Sequence, residues 1–270
     1  MSAQPIEVAE HARAILSGVA SIHEVRGYWE RHIHDLEITR HPVGSRGFFD
    51  DLEQYHFEKL HHLPRLVDFD GYRGRAVLDV GCGAGVDLAR FARGGARAFG
   101  VDIAAAAIEL ARANFAQQGL TGEFHVANGE QLPLADATFD LVYAHGVVQY
   151  TANPSRLVNE CRRVLKPGGN AVFQVYNRLS WLNALSKLMN VGLEHEDAPA
   201  LAKFSIGEFR RLLAGFSAVR IVPERFPVKS RLHGGWKGAL YNGVFVGAFN
   251  LMPRALVRPV GWHLLAFCRK

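Results

Sequence analysis

Cysteine is scarce in this chain of 270 residues, limited to Cys82, Cys161 and Cys268. They are far apart and form no C-x-x-C pair. That argues against a disulfide framework or a zinc site, so no metal is expected and a reducing cytoplasm is the expected setting. Long apolar runs are missing too. No stretch reaches the roughly 20 apolar residues of a spanning helix. The nearest is "GALYNGVFVGAFNLMP", Gly238 to Pro253, which carries no charge but is short and interrupted by glycine. The opening "MSAQPIEVAEHARAILSGVA" is poor in basic residues and has no apolar centre, so it does not read as a secretory leader. There is no large excess of one charge. The net value of +5 is spread along the chain, which is weak grounds for a nucleic-acid partner, and none is expected. Internal repeats and low-complexity linkers are also absent.

What is present is ordinary globular material, 49% hydrophobic and 21% charged. Residues 1–72 read as a mostly helical cap with a turn at "HPVGSRG". Within it Phe48, Leu52, Tyr55 and Leu60 fall near helical spacing. From residue 73 onward short apolar runs alternate with helical segments. The runs are "RAVLDV", "RAFGVD", "EFHVA", "DLVYA" and "NAVFQVY". The helices are expected near Val86–Arg93, Ala104–Gln118 and Pro154–Leu165, with "KPGG" closing the last before the next strand. Such alternation implies an α/β fold, a parallel sheet covered by helices on both faces. A helix near Leu179–Val191, another from Ser205 with Glu208 at the capping-box position, and strands "FSAVRIVP" and "GWHLLAFCRK" follow. The last two strands enclose a late insert near 229–258, longer than a hairpin needs.

The stretch "VLDVGCGAG", Val77 to Gly85, is the most informative. In an open parallel sheet the ligand lies beyond the strand C-termini, and the first strand runs straight into these glycines. Gly81, Gly83 and Gly85 let the backbone turn and a ligand approach. A dinucleotide fingerprint, G-x-G-x-x-G, fails because position 86 is Val. Asp79 before the loop and Asp87 after it disfavour a pyrophosphate and suit a cation. Asp102, ending the next strand, suits the two hydroxyls of a ribose. Ile103 can pack on a purine, and Asn128 with the Gly129 amide can meet an adenine edge. The ligand so described is an adenosine with a cationic tail and no phosphate, which S-adenosylmethionine satisfies.

With "VLDVGCGAG", "GVDIA", "ANGEQLPLADATFDLVYAHGVVQY" and "VLKPGGNAVFQVYN" in this order over about residues 75–177, the chain resembles the class I S-adenosylmethionine-dependent methyltransferases. The likeness is to the small-molecule type that includes the ubiquinone/menaquinone enzymes. The resemblance implies a Rossmann-like, seven-stranded, mostly parallel sheet in the order 3-2-1-4-5-7-6 with an antiparallel last strand. It implies cofactor contacts at Asp79, Gly81, Cys82, Gly83, Asp102, Ile103, Asn128, Gly129 and His145. Asn128 departs from the family, where Asp is more usual, although an amide oxygen still accepts a hydrogen bond.

The acceptor is less legible. A sulfonium methyl is already electrophilic, so the protein's main tasks are alignment and desolvation, and a base is needed only for an acceptor of high pKa. His145 is the leading candidate base. Tyr28 and His32, four residues apart on one helix face, Tyr55, and Tyr176 at a strand end are the other catalytic candidates, and Tyr150 also faces the expected cleft. Arg231 and His233 in the late insert are candidate contacts for an anion. No N-P-P-Y-like motif of amino-methylating DNA enzymes follows the fourth strand, and the cysteines do not form an arsenite site. The expected activity is methyl transfer to O, N, S or C of a small molecule. The alternatives are a lipid or quinone acceptor at a membrane surface touched by Gly238–Pro253, and a non-catalytic sensor or partner subunit. Oligomeric state is not readable.

Overall fold

The computed structural model describes residues 20–32, 38–189, 192–193, 195–227, 243–244 and 246–270, the side chains of 189, 250, 254 and 255 excepted. Arg231, His233 and, within Gly238–Pro253, residues 238–242 and 245 lie outside the described residues.

Helices α1 (Ile22–Trp29), α2 (Arg46–Lys59) and α3 (Leu63–Leu66) precede the sheet. Ser21 and Glu24 form a capping box that starts α1, and the Ser45 side chain caps α2. Then come β1 (Ala76–Val80), α4 (Val86–Arg93), β2 (Arg97–Asp102), α5 (Ala105–Gln118), β3 (Gly122–Val126), β4 (Phe139–His145), α6 (Pro154–Val164) and β5 (Leu165–Tyr176). The chain ends with α7 (Trp181–Met189), α8 (Ile206–Leu212), β6 (Ala218–Glu224), short helices α9 (Val246–Leu251) and α10 (Arg254–Val257), and β7 (His263–Arg269).

The strands form one seven-stranded sheet in the order β3-β2-β1-β4-β5-β7-β6, as expected. The first five are parallel, and β7 runs antiparallel to both β5 and β6. Alternation along the strands divides two cores. On one face Leu78, Val80, Val142 and Phe173 pack with Phe209 of α8. On the other Val77, Leu141, Tyr143 and Leu265 pack with Leu88 and Phe91 of α4. Each such fully buried side chain is worth about 1.5–3 kcal/mol against exposure.

The expected boundaries need two corrections. Lys166–Gly169 does not end a helix. α6 stops at Val164, and the "KPGG" residues lie inside β5. There the pairing slips, from Phe139 opposite Leu165 to Leu141 opposite Asn170. Gly168 supplies a φ of +74° for this bulge, and the Lys166 ammonium anchors it to Asp140 at 2.8 Å. α7 begins at Trp181 rather than Leu179, because the Asn177 side chain turns the backbone first and Ser180 caps the helix. The Ser205–Glu208 box is present as read.

β1 feeds α4 through Gly81–Gly85, so the helix starts at the C-terminal edge of the sheet. The ends of β1, β2, β4 and β5 and the start of β7 meet on that edge. Among the described residues no helix is long and apolar enough to cross a membrane. Cys82, Cys161 and Cys268 are buried free thiols.

Candidate active site

The glycine loop sets the floor of a cavity of about 250 Å³ at this edge. Gly81, Gly83 and Gly85 all hold positive φ. A Cβ on Gly81 would lie 2.2 Å from Val147 Cγ2, so this glycine is fixed by the β4 loop. A Cβ on Gly83 would meet nothing within 4 Å, and Gly83 lines the cavity. Its backbone N–H donates to Asp102 Oδ2 at 2.9 Å, and Asp102 Oδ1 accepts from Ala104 at 2.9 Å. Asp102 is thus fixed by the loop on one side and the helix entry on the other. Asn128 Oδ1 accepts from the Glu130 amide at 2.9 Å, which shapes the turn after β3 and leaves the oxygen's other lone pair.

Asp79, Gly81, Cys82, Gly83, Asp102, Ile103, Asn128, Gly129 and His145 all border this one cavity. The sequence scattered them over four segments, and parallel strand order brings them together. Asp79 is 3% exposed, and burial, then Asp87 and Asp102, push its carboxyl well above the usual carboxylate range. A cation entering the cavity relieves that cost. Cys82 packs in the apolar core beneath the loop.

The catalytic candidates divide. His145, His32 and Tyr176 line the cavity. Tyr150 does too, and its hydroxyl donates to that of Tyr176 at 3.2 Å. Tyr28 and Tyr55 are not brought to it. Tyr28 does stack on His32, with ring centroids 4.1 Å apart, but its hydroxyl donates to Asp197 at 2.9 Å and lies 3.0 Å from His195 Nδ1. Burial and the Asp197 carboxylate push the Tyr28 phenol up to about 12. Tyr55 is half-buried, with the Lys59 ammonium 5.4 Å from its ring centroid.

His56, Gln174, Arg225 and His263 also line the cavity and escaped the sequence reading, whereas Asp87 was read there as a charge that suits a cation. Asp87 accepts from Tyr143 Oη at 3.1 Å and lies 3.0 Å from His56 Nε2 and 3.8 Å from His145 Nδ1. Burial raises its carboxyl, yet the two histidines and the tyrosine outweigh that and hold it below the usual range. The donor atoms of His56, Asp87 and His145 lie within 4.8 Å of one another, close enough to hold a cation, and the contacts among them also account for the cluster without one. Gln174, Arg225 and His263 line the far wall. The available signal was positional, since each sits at or beside a strand end.

Fold and site together are similar to those of the class I S-adenosylmethionine-dependent methyltransferases. Residues 78–173 match the family described as methyltransferase domain, and its cofactor is S-adenosylmethionine. Over 155 residues the chain is 30% identical to the ubiquinone biosynthesis O-methyltransferase of Alkalilimnicola ehrlichii, covering 55% of this chain and 62% of that one. Over 107 residues it is 38% identical to a protein of the same name from Cereibacter sphaeroides, covering 40% and 43%. The chain therefore spans less than two thirds of these curated relatives. Among solved structures it is similar to an S-adenosylmethionine-dependent methyltransferase of Thermotoga maritima, described as a possible histamine N-methyltransferase. That match has a TM-score of 0.58 and 20% identity, and covers 91% of this chain and 99% of that one. It is also similar to geranyl diphosphate C-methyltransferase of Streptomyces coelicolor, with a TM-score of 0.55, 16% identity, and coverage of 93% and 98%. At these identities the structural matches speak for the fold alone.

Proposed function

We propose that this chain transfers a methyl group from S-adenosylmethionine to a nucleophilic atom of a small molecule. The observation that carries the reading is the buried Asp79 carboxyl, repelled by the half-buried Asp102, beside positive-φ glycines that line the same cavity. The curated relatives' names make an oxygen acceptor the first candidate. S-adenosylmethionine supplies an electrophilic methyl group. The chain's residues bind and align. Asp102 accepts from the ribose hydroxyls, Ile103 and Gly129 flank the adenine, and Asp79 attracts the ammonium of the tail. His145 takes the proton of an acceptor hydroxyl, and the Asp87 carboxylate beside it stabilises the imidazolium that forms. Val80, Val101 and Leu157 make the wall apolar, which limits competing water. The three buried free thiols support a reducing cytoplasm as the site of action.

The test uses methyl-labelled S-adenosylmethionine with an extract of the source cells, counted in water-soluble, lipid, macromolecular and volatile fractions. Label in the water-soluble fraction is expected. Label confined to macromolecules, or none with the cofactor bound, would reject the reading. Peripheral membrane contact is a subsidiary proposal, supported by the exposure of Val244, Leu251 and Met252. Failure to float with anionic vesicles rejects it.

A further inference from the structure

The wall of the cavity farthest from Asp102 has its own chemistry. β7 begins at His263, opposite Tyr176 of β5 and Glu224 of β6, and Arg225 follows β6 directly. An Arg225 N–H lies 3.1 Å from His263 Nε2. A guanidinium only donates, so Nε2 must accept and the ring proton sits on Nδ1. Burial and the Arg225 charge keep this ring neutral, holding its pKa well below the usual histidine value. The residue is 2% exposed, and its Nδ1 has no hydrogen-bond partner among the described residues. Gln174, 1% exposed and two residues before Tyr176 in β5, also lines the cavity and likewise has an amide nitrogen without a partner among the described residues. Two buried donors on residues that line the cavity therefore have no acceptor among the described residues, an arrangement that costs stability in the free protein.

Arg225 is held there at a conformational cost. Its φ is +59°, in the left-handed region that residues with side chains avoid. Its carbonyl accepts from the Trp181 indole at 3.0 Å and from the Trp262 amide at 3.4 Å, and these bonds lock the turn. No carboxylate pairs with Arg225 among the described residues, since neighbouring Glu224 makes its contact with Arg65 at 3.8 Å. The strained turn thus aims a permanent cation and its hydrogen-bond fork into the site.

We propose that Arg225, His263 Nδ1–H and Gln174 form a subsite for a carboxylate carried by the methyl acceptor. This rests on the methyltransferase reading and narrows its substrate class to carboxylate-bearing small molecules. A planar carboxylate matches the guanidinium fork and has lone pairs for both further donors. The cofactor's own carboxylate is a poor claimant. Apart from His145 at the end of β4, the proposed cofactor residues end or follow β1, β2 and β3, whereas Arg225 and His263 lie on the other side of β5 from them. His145 stands between, its ring centroid 5.9 Å from that of His263, so a carboxylate on this wall leaves the rest of the acceptor beside the candidate base.

Benzoate and benzamide form a matched probe pair, titrated by NMR into the whole protein saturated with S-adenosylhomocysteine. The wild type is expected to prefer benzoate by at least about tenfold, the scale of a charge-assisted hydrogen bond. Arg225→Met is expected to abolish the preference, Arg225→Lys to keep part of it, and Gln174→Leu to reduce it, each with S-adenosylhomocysteine affinity within about twofold of wild type. Equal binding of the two probes, binding of neither, or a preference that survives in Arg225→Met overturns the subsite. The cofactor titration reads the other reading separately. No S-adenosylhomocysteine binding alongside a benzoate preference removes the methyltransferase and keeps the anion site, and the reverse removes only the subsite.

Discussion

Asp87 Oδ1 lies 3.0 Å from Nε2 of His56, so the first turn of α4 is tied to the last turn of α2. Asp87 holds its proton less readily than an ordinary carboxyl because His56, His145 and Tyr143 outweigh its burial. A depressed carboxylate stabilises the fold above its unfolded pKa of about 4 and loses that contribution as pH falls through the folded value. Asp87→Asn should therefore cost on the order of 2 kcal/mol at pH 7 and flatten the acid limb of stability below about pH 4. Urea melts from pH 7 downward give both quantities. An unchanged acid limb would show that the contact is not coupled to folding.

Asp79 carries the opposite sign. Its folded pKa is raised, so the protonated form suits the cofactor-free protein, and its contribution is lost as pH rises through that folded value. Asp79→Asn should raise the melting temperature of the free protein at neutral pH, by roughly 2–4 °C per kcal/mol for a chain of this size. The same change should weaken S-adenosylhomocysteine binding about tenfold by removing the charge that meets the ammonium. Thermal melts with and without ligand separate the effects. A lower melting temperature with unchanged affinity would contradict this role.

Asp102 accepts from the Gly83 and Ala104 amides while facing the cavity. Asp102→Ala removes the ribose acceptor and both loop anchors, and an affinity loss of about 100-fold is expected from two charge-assisted bonds. Asp102→Asn keeps the shape and should lose less. Calorimetric titration with S-adenosylhomocysteine decides, and intact affinity in the alanine variant would move the ribose elsewhere.

Gly81 and Gly83 should separate folding from binding. Gly81→Ala drives a methyl into Val147 and should destabilise by about 1–3 kcal/mol. Gly83→Ala meets no protein atom within 4 Å, so beyond the backbone strain of its φ of +53° its main loss should be cofactor affinity. Denaturant midpoints and titrations on both variants check the contrast. Equal effects on both measurements would contradict it.

The cofactor half of the site was readable because its residues follow strands of one sheet in fixed order. Once "VLDVGCGAG" ends β1, Asp102 and Asn128 must lie beside it. The acceptor half was less so. His263 and Arg225 are joined only by the antiparallel return of β7, and nothing local to "GWHLLAFCRK" or "PERFP" announces that pairing. Tyr28 shows the converse. Its spacing to His32 did predict a shared face, but its hydroxyl is taken by Asp197, far along the chain. "KPGG" misled because proline and glycine mark a bulge as readily as a helix stop.

Helix α5 has no capping side chain of its own at Ala104. The amides of Ala105 and Ala106 are met instead by the two carboxylate oxygens of Glu30, at 2.8 and 3.3 Å, from the residue that closes α1. Ala104 is also bound by Asp102, so the same few residues report on both the cap and the ribose position. Docking of the amino-terminal helix and occupancy of the nucleoside site are therefore thermodynamically linked. Cofactor should protect α1 against hydrogen exchange, and cutting α1 away should loosen a helix that begins 75 residues later in the chain.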